Sequence, residues 1–82
     1  YNSSPYLYYN RGNVNAKRSD YAAAIADYTK ALQIDPNIPE AYYNRGIAHI
    51  MNNDISVGIA DLSKAGELGL YTAYSVIKKY SK

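Results

Sequence analysis

The chain has 82 residues and a formal net charge of +2 from nine basic and seven acidic side chains, so we expect one small domain and no nucleic acid as main partner. It has no cysteine, which excludes disulfides and thiol catalysis without indicating a compartment. No apolar run approaches the roughly 20 residues of a membrane span, so we expect no direct membrane contact. Because the sequence begins at Tyr1 and not at methionine, we expect it to be part of a longer protein.

Five helices are predicted, separated by residues that start or stop a helix. Residues 1–4 are expected to be a disordered lead. Pro5 and Pro39 each suit the first turn of a helix, where the missing N–H costs nothing. Asp20 and Asp54 each suit the N-cap of the helix that follows. The predicted helices cover residues 5–18, 21–34, 39–52, 55–68 and 72–80.

The last predicted helix differs from the others. It contains Ala73-Tyr74, which echoes Ala41-Tyr42, but it lacks a matching glycine and becomes basic and polar towards its end. Gly69, before it, is predicted to adopt the left-handed conformation that ends a helix. Terminal units of a stack need a polar outer face, so we interpret residues 71–82 as a capping helix.

A repeat of 34 residues organises the rest of the chain. The pentapeptide Tyr8–Gly12 returns unchanged at Tyr42–Gly46. The other identities at the same offset pair Pro5, Asp20, Ile25, Ala26, Asp27, Lys30 and Ala31 with Pro39, Asp54, Ile59, Ala60, Asp61, Lys64 and Ala65. A period of this length is typical of stacked helix pairs, which bind partners more often than they catalyse reactions.

Small residues recur where neighbouring helices are expected to approach closely. They include Gly12 and Gly46, and Ala24 with Gly58. Glycine inside a helix costs about 1 kcal/mol relative to alanine, so its recurrence indicates a packing role. The larger side chains expected to fill between these contacts are Tyr8, Tyr21, Ile25, Tyr28, Leu32, Ile34, Tyr42, Ile55, Ile59, Leu62, Leu68, Leu70, Tyr74 and Ile77.

These positions resemble the tetratricopeptide repeat family. The matching residues are Tyr8 and Tyr42, Gly12 and Gly46, Ala24 and Gly58, Tyr28 and Leu62, Ala31 and Ala65, and Pro36. The resemblance implies an all-α fold of antiparallel helix pairs stacked in a right-handed solenoid. Repeat 1 would cover residues 5–38 and repeat 2 residues 39–70, followed by the capping helix.

Arginine and aspartate recur at matched positions. Arg11 and Arg45 stand where the family usually has leucine, and Asp27 and Asp61 recur in the following helices. We expect charge-assisted pairs with a structural role, either within each repeat or from Asp27 across to Arg45. Asn15 and His49 also depart from the family pattern and suggest further polar pairing between the helices.

The sequence gives no support for catalysis or for a cofactor. His49 has no second histidine or carboxylate at helical spacing, so it is interpreted as a packed helix residue rather than a metal ligand. No glycine-rich phosphate loop is present, and the scattered serines lack a nearby base. We therefore predict a protein that is not an enzyme, with no metal and no cofactor.

By the same resemblance, the first helix of each pair lines a concave groove. The predicted partner-binding residues are Tyr6, Tyr9, Asn13, Lys17, Tyr43, Ile47, Ile50 and Met51, with Ala16 and Glu40 beside them. The last three of the eight form an apolar strip of the kind that marks a contact site when it is exposed. Packing within the stack is the alternative explanation for Ile47 and Ile50.

The predicted function is a protein–protein interaction module that binds a peptide or helix in this groove. The alternative is a weak homo-oligomer formed through the groove or through the ends of the stack. Some family members bind acidic chaperone tails through a clamp of lysines, arginine and asparagines. Asn13 and Asn44 match that clamp, but Tyr9 stands at its first lysine position, so an apolar or tyrosine-bearing partner suits this surface better.

Overall fold

The computed structural model of the protein describes residues 4–81, and these form five α-helices, which confirms the predicted all-α fold. The helices are α1 (Pro5–Lys17), α2 (Tyr21–Ile34), α3 (Pro39–Met51), α4 (Ile55–Glu67) and α5 (Thr72–Tyr80). Residues 1–3 of the predicted lead, and Lys82 of the predicted capping helix, lie outside the described residues. Ser4 caps α1, because its Oγ accepts a hydrogen bond from the Tyr6 backbone N–H at 3.2 Å.

Three of the helices end one residue earlier than predicted, since the chain turns sharply after each of them. Ser19, Asn53 and Gly69 adopt positive φ angles of 60°, 68° and 107° in these turns. The Asp20 carboxylate then caps α2 by accepting from the Ala23 N–H at 3.4 Å. Asp54 is likewise the N-cap residue of α4, as predicted, but its side chain makes no capping hydrogen bond.

The helices pack in chain order. The most extensive contacts join α1 to α2 and α3 to α4, and α2 and α4 then pack against α3 and α5. The molecule is elongated, at 43 × 26 × 16 Å. No helix among the described residues is long and apolar enough to cross a membrane.

A close contact between helix backbones lies inside repeat 2. A Cβ atom built on Gly46 would lie 2.8 Å from the Gly58 carbonyl oxygen, and one on Gly58 would lie 2.6 Å from the Gly46 carbonyl oxygen. These glycines therefore let the backbones of α3 and α4 touch. In repeat 1 the corresponding Gly12 faces the ring of Tyr28, and a Cβ built on it would lie 2.7 Å from the nearest ring atom.

Two buried apolar clusters form the core. One contains Ile50, Leu62, Ala65 and Ala73, and the other contains Leu32, Ile38 and Ala41. Ile38 was not among the predicted core residues, because it precedes α3 as its N-cap and lies outside the helical pattern.

Three residues expected in the core are exposed instead. Ile34 is the last residue of α2 and Ile55 the first of α4, so each lies at the edge of its helix contact. The Tyr74 ring packs over Gly66, where a Cβ would overlap it, but the rest of the residue faces outwards.

Candidate functional site

The two arginine–aspartate pairs form within each repeat. Arg11 Nε lies 3.1 Å from both carboxylate oxygens of Asp27, and Arg11 Nη2 donates to Asp27 Oδ1 at 2.7 Å. Arg45 donates from Nε and Nη2 to the two oxygens of Asp61, both at 2.8 Å. The structure therefore decides between the two predicted arrangements, and the cross-repeat pair of Asp27 with Arg45 does not form. These hydrogen bonds raise the pKa of both arginines.

Each aspartate is also approached by a second polar side chain from the preceding helix. Asn15 Nδ2 donates to Asp27 Oδ2 at 2.9 Å. His49, which is the equivalent residue in repeat 2, places its Nε2 3.9 Å from Asp61 Oδ2. The buried carboxylates are thus matched by neighbours within the fold, which favours a structural role for them.

A recess of about 400 Å³ opens between α1, α2 and α3. Its walls are mostly apolar and aromatic, and Asn44 and three tyrosines are the lining residues with polar side-chain groups. The lining residues are Ala16, Tyr21, Tyr28, Tyr43, Asn44, Ile47 and Ala48. A concave, largely apolar site with few polar groups is the usual form of a ligand site in a protein.

A polar network joins the three helices beside this recess. Tyr28 Oη donates to Asn13 Oδ1 at 2.6 Å, and Asn44 Nδ2 donates to the same oxygen at 3.0 Å. Asn44 Nδ2 also lies 3.2 Å from Tyr9 Oη, which accepts from it. Burial raises the pKa of Tyr28 to about 12, so its hydroxyl stays protonated and keeps donating at neutral pH. The network engages the Asn13 carbonyl oxygen and the Asn44 amide nitrogen, and so links α1, α2 and α3.

Four of the eight predicted groove residues lie at or beside the recess. Tyr43 and Ile47 line it. Asn13 and Tyr9 belong to the adjoining polar network, and the Tyr9 ring packs against that of Tyr28 with the centroids 6.0 Å apart. The packing of α1, α2 and α3 therefore brings these four residues together.

Three other predicted residues are exposed and lie outside the recess lining. Tyr6 contacts only the outer edge of the group, with its ring centroid 6.4 Å from that of Tyr9. Lys17 and Met51 are the last residues of α1 and α3, beyond the recess.

Ile50 is not a surface residue, and its assignment to the groove is corrected. Only 7% of it is exposed, and it joins the cluster around Leu62. The reason is that Gly58 leaves room for it, since a Cβ on Gly58 would lie 2.6 Å from Ile50 Cγ1. Ile47 is half-buried and lies between the two environments, packing on the same cluster while lining the recess.

The sequence analysis missed the contribution of α2 to the recess. Tyr21 and Tyr28 were assigned to packing alone, yet both line it. They are seven residues apart and therefore lie on one face of α2. The hydroxyl of a buried tyrosine needs a partner, and this requirement was the available indication that Tyr28 reaches a polar group on α1.

Within residues 4–81, no three histidine, cysteine, aspartate or glutamate side chains lie close enough together to hold a metal ion. Comparison with known sequences adds one finding. Residues 12–53, which span the end of α1, all of α2 and all of α3, match the family model for the TPR repeat. No curated protein matches the chain.

Proposed function

The chain belongs to the tetratricopeptide repeat family, whose domains are generally protein–protein interaction modules and typically non-catalytic, and on that premise we propose that it binds a peptide or helix of a partner protein in the recess between α1, α2 and α3. The observation that supports this most directly is the recess itself. Its volume of about 400 Å³ suits one or two side chains of a bound segment.

The chemistry of the recess favours an apolar or aromatic side chain over a carboxylate. Its walls offer the rings of Tyr21 and Tyr43 and the side chain of Ile47. Asn13 and Asn44 already hydrogen-bond each other and two tyrosines. A carboxylate entering here would exchange its water for mostly apolar walls, which is unfavourable.

A peptide selection tests this proposal without assuming a partner sequence. The wild-type chain and an Ile47→Asp variant would each be panned against a displayed library of random peptides. We expect the wild type to enrich peptides with a leucine, isoleucine, phenylalanine or tyrosine anchor. Ile47→Asp should bind these peptides at least about tenfold more weakly, because a charge in the recess must be desolvated when an apolar side chain enters.

The matched control is Val57→Asp, which adds the same charge at an exposed position on α4. Far-ultraviolet circular dichroism would establish that both variants keep their helices. The double variant Tyr43→Ala/Ile47→Ala should likewise lose binding while remaining helical. If the selected peptides bind wild type and Ile47→Asp equally well, the recess is not the binding site.

A further inference from the structure

A row of largely exposed side chains runs along one side of α1. Leu7, Arg11 and Val14 are spaced four and three residues apart and so share one face of the helix, which we call the α1 end face. Leu7 is 63% exposed and Val14 is 49% exposed. The Arg11 side chain is 64% exposed even though it is paired with Asp27.

The equivalent face of α3 is covered by a helix. Thirty-four residues later the same positions are Ala41, Arg45 and Ala48, and both alanines are buried, with 0% and 2% exposed. Leu32 of α2 packs in one cluster with Ala41. Thr29 of α2 supplies the Oγ1 that accepts from Arg45 Nη1 at 3.1 Å.

We propose that the α1 end face is a docking site for an α-helix of a partner protein, one that places a hydroxyl-bearing residue opposite Arg11 and a glycine or alanine opposite Leu7. The first requirement follows from Thr29, which meets Arg45 in the covered copy of this face. The second follows from size. In the covered copy, Leu32 of α2 packs with the small Ala41 of α3. Leu7 is the larger equivalent of Ala41, so the partner needs a residue smaller than leucine at the position that corresponds to Leu32.

Helix α4 of the chain itself has this pattern, but α5 already covers that side of it. Ser63 and Gly66 of α4 are the repeat equivalents of Thr29 and Leu32. The Tyr74 ring packs against Gly66, and Ala73 beside it is fully buried. A second copy of the chain could offer α4 to the α1 end face only after α5 had left, which disfavours stacking of copies end to end.

Charge also disfavours a symmetric dimer through this surface. Arg18 lies four residues after Val14 and extends the row with another exposed cation. Two α1 end faces meeting each other would place Arg18 of both copies at the interface, beside the Arg11 side chains that Asp27 already pairs, and like charges at an interface oppose association. A partner helix with hydroxyl or acidic side chains meets no such repulsion.

The peptide spanning residues 54–69, which carries Ser63 and Gly66, serves as the probe. It would be titrated into the isotope-labelled chain and followed by nuclear magnetic resonance. We expect shifts of the backbone amide signals of Leu7, Arg11 and Val14, with a Kd no weaker than ~1 mM. The affinity is modest because the short isolated peptide must first form a helix. The same peptide with Gly66→Leu should bind at least about tenfold more weakly, because its leucine would meet Leu7.

Variants of the chain complete the test. Leu7→Asp should weaken binding at least about tenfold without affecting the fold, because Leu7 is exposed. Val57→Asp introduces the same charge at an exposed position on α4, away from the α1 end face, and should bind the peptide as wild type does. The proposal is overturned if the shifts fall on Ala73 and α5, if they fall on Tyr43 and Ile47 in the recess, or if none occur by ~1 mM peptide. A concentration-dependent dimer that shows the same shifts without peptide would also overturn it, in favour of a second copy.

Discussion

The two arginine–aspartate pairs have the same residues, the same separation in sequence and nearly the same hydrogen-bond lengths, but they lie in different surroundings. Asp27 and Asp61 are both buried, whereas Arg11 is largely exposed and Arg45 largely buried. The difference comes from α2, which covers Arg45, while the equivalent side of α1 has no covering helix. The sequence of a repeat therefore determines which side chains pair, and the neighbouring repeat determines how far the pair is removed from water.

The largest expected effect separates the two aspartates. Asp61→Ala should lower the free energy of unfolding by about 3 kcal/mol, because it leaves the guanidinium of Arg45 mostly buried without its carboxylate. Asp27→Ala should lower the free energy of unfolding clearly less, since the exposed guanidinium of Arg11 can be hydrated by solvent when its carboxylate is removed. Urea denaturation followed by circular dichroism measures both values. Equal losses would show that burial by α2 does not influence the strength of the pair.

A second prediction concerns the contact between α3 and α4. Gly58→Ala should destabilise the fold by about 2 kcal/mol, even though repeat 1 has Ala24 at the same position. The new methyl group would meet the Gly46 carbonyl, which cannot move aside, and this outweighs the ~1 kcal/mol that alanine gains in helix propensity. Gly69→Ala is the matched control, with no atoms near the added methyl group and only the strain of a positive φ. A smaller loss for Gly58→Ala than for Gly69→Ala would contradict the close contact.

The third prediction uses pH to distinguish the repeats, because repeat 1 has Tyr28 where repeat 2 has Leu62. Burial raises the pKa of Tyr28 from 10.0 to about 12, so the folded state holds this proton more tightly than the unfolded state does. The contribution of this proton to the free energy of unfolding is fully present below pH 10 and is lost as the pH rises towards 12. The loss should be about 1–2 kcal/mol, which allows for partial solvent screening.

Urea denaturation at a series of alkaline pH values measures this loss. Tyr28→Phe serves as the reference, because it fills the same space without a titrating group, and its stability should fall less over this range. If wild type and Tyr28→Phe show the same alkaline dependence, burial of the hydroxyl does not control the transition.

The smallest predicted effect tests the contact between repeats directly. Thr29→Val keeps the shape of the side chain but removes the oxygen that accepts from Arg45, and it should cost about 1 kcal/mol. Ser63→Ala makes a similar change at the equivalent position of α4 and should change stability by less than about 0.5 kcal/mol. Thermal and urea unfolding of the two variants in parallel provide the measurement. Indistinguishable values would mean that the Thr29 hydroxyl adds nothing to the interface.

The sequence predicted the local features well because they depend on nearby residues. The repeat of 34 residues and the proline and aspartate positions gave five helices whose ends differ from the observed ones by at most one residue. The recurrence of small residues, Gly12 with Gly46 and Ala24 with Gly58, indicated the close helix contact. Matched arginines and aspartates limited the possible ion pairs to two arrangements. Each of these inferences needed only helical geometry and the chemistry of single side chains.

The sequence by itself determined the repeat, the all-α fold and the residue types along α1 and α3. Only the tertiary structure decided that Arg45 pairs within its own repeat, that Ile50 is buried while Ile47 borders the recess, and that α2 adds Tyr28 to the site. Ile47 and Ile50 are both apolar residues on one helix, less than one turn apart. Which of them is exposed to water depends on where the neighbouring backbones lie. The Gly46 carbonyl facing Gly58 and the Tyr28 ring facing Gly12 are contacts between two helices. The residue pattern of a single helix contains no information about such contacts.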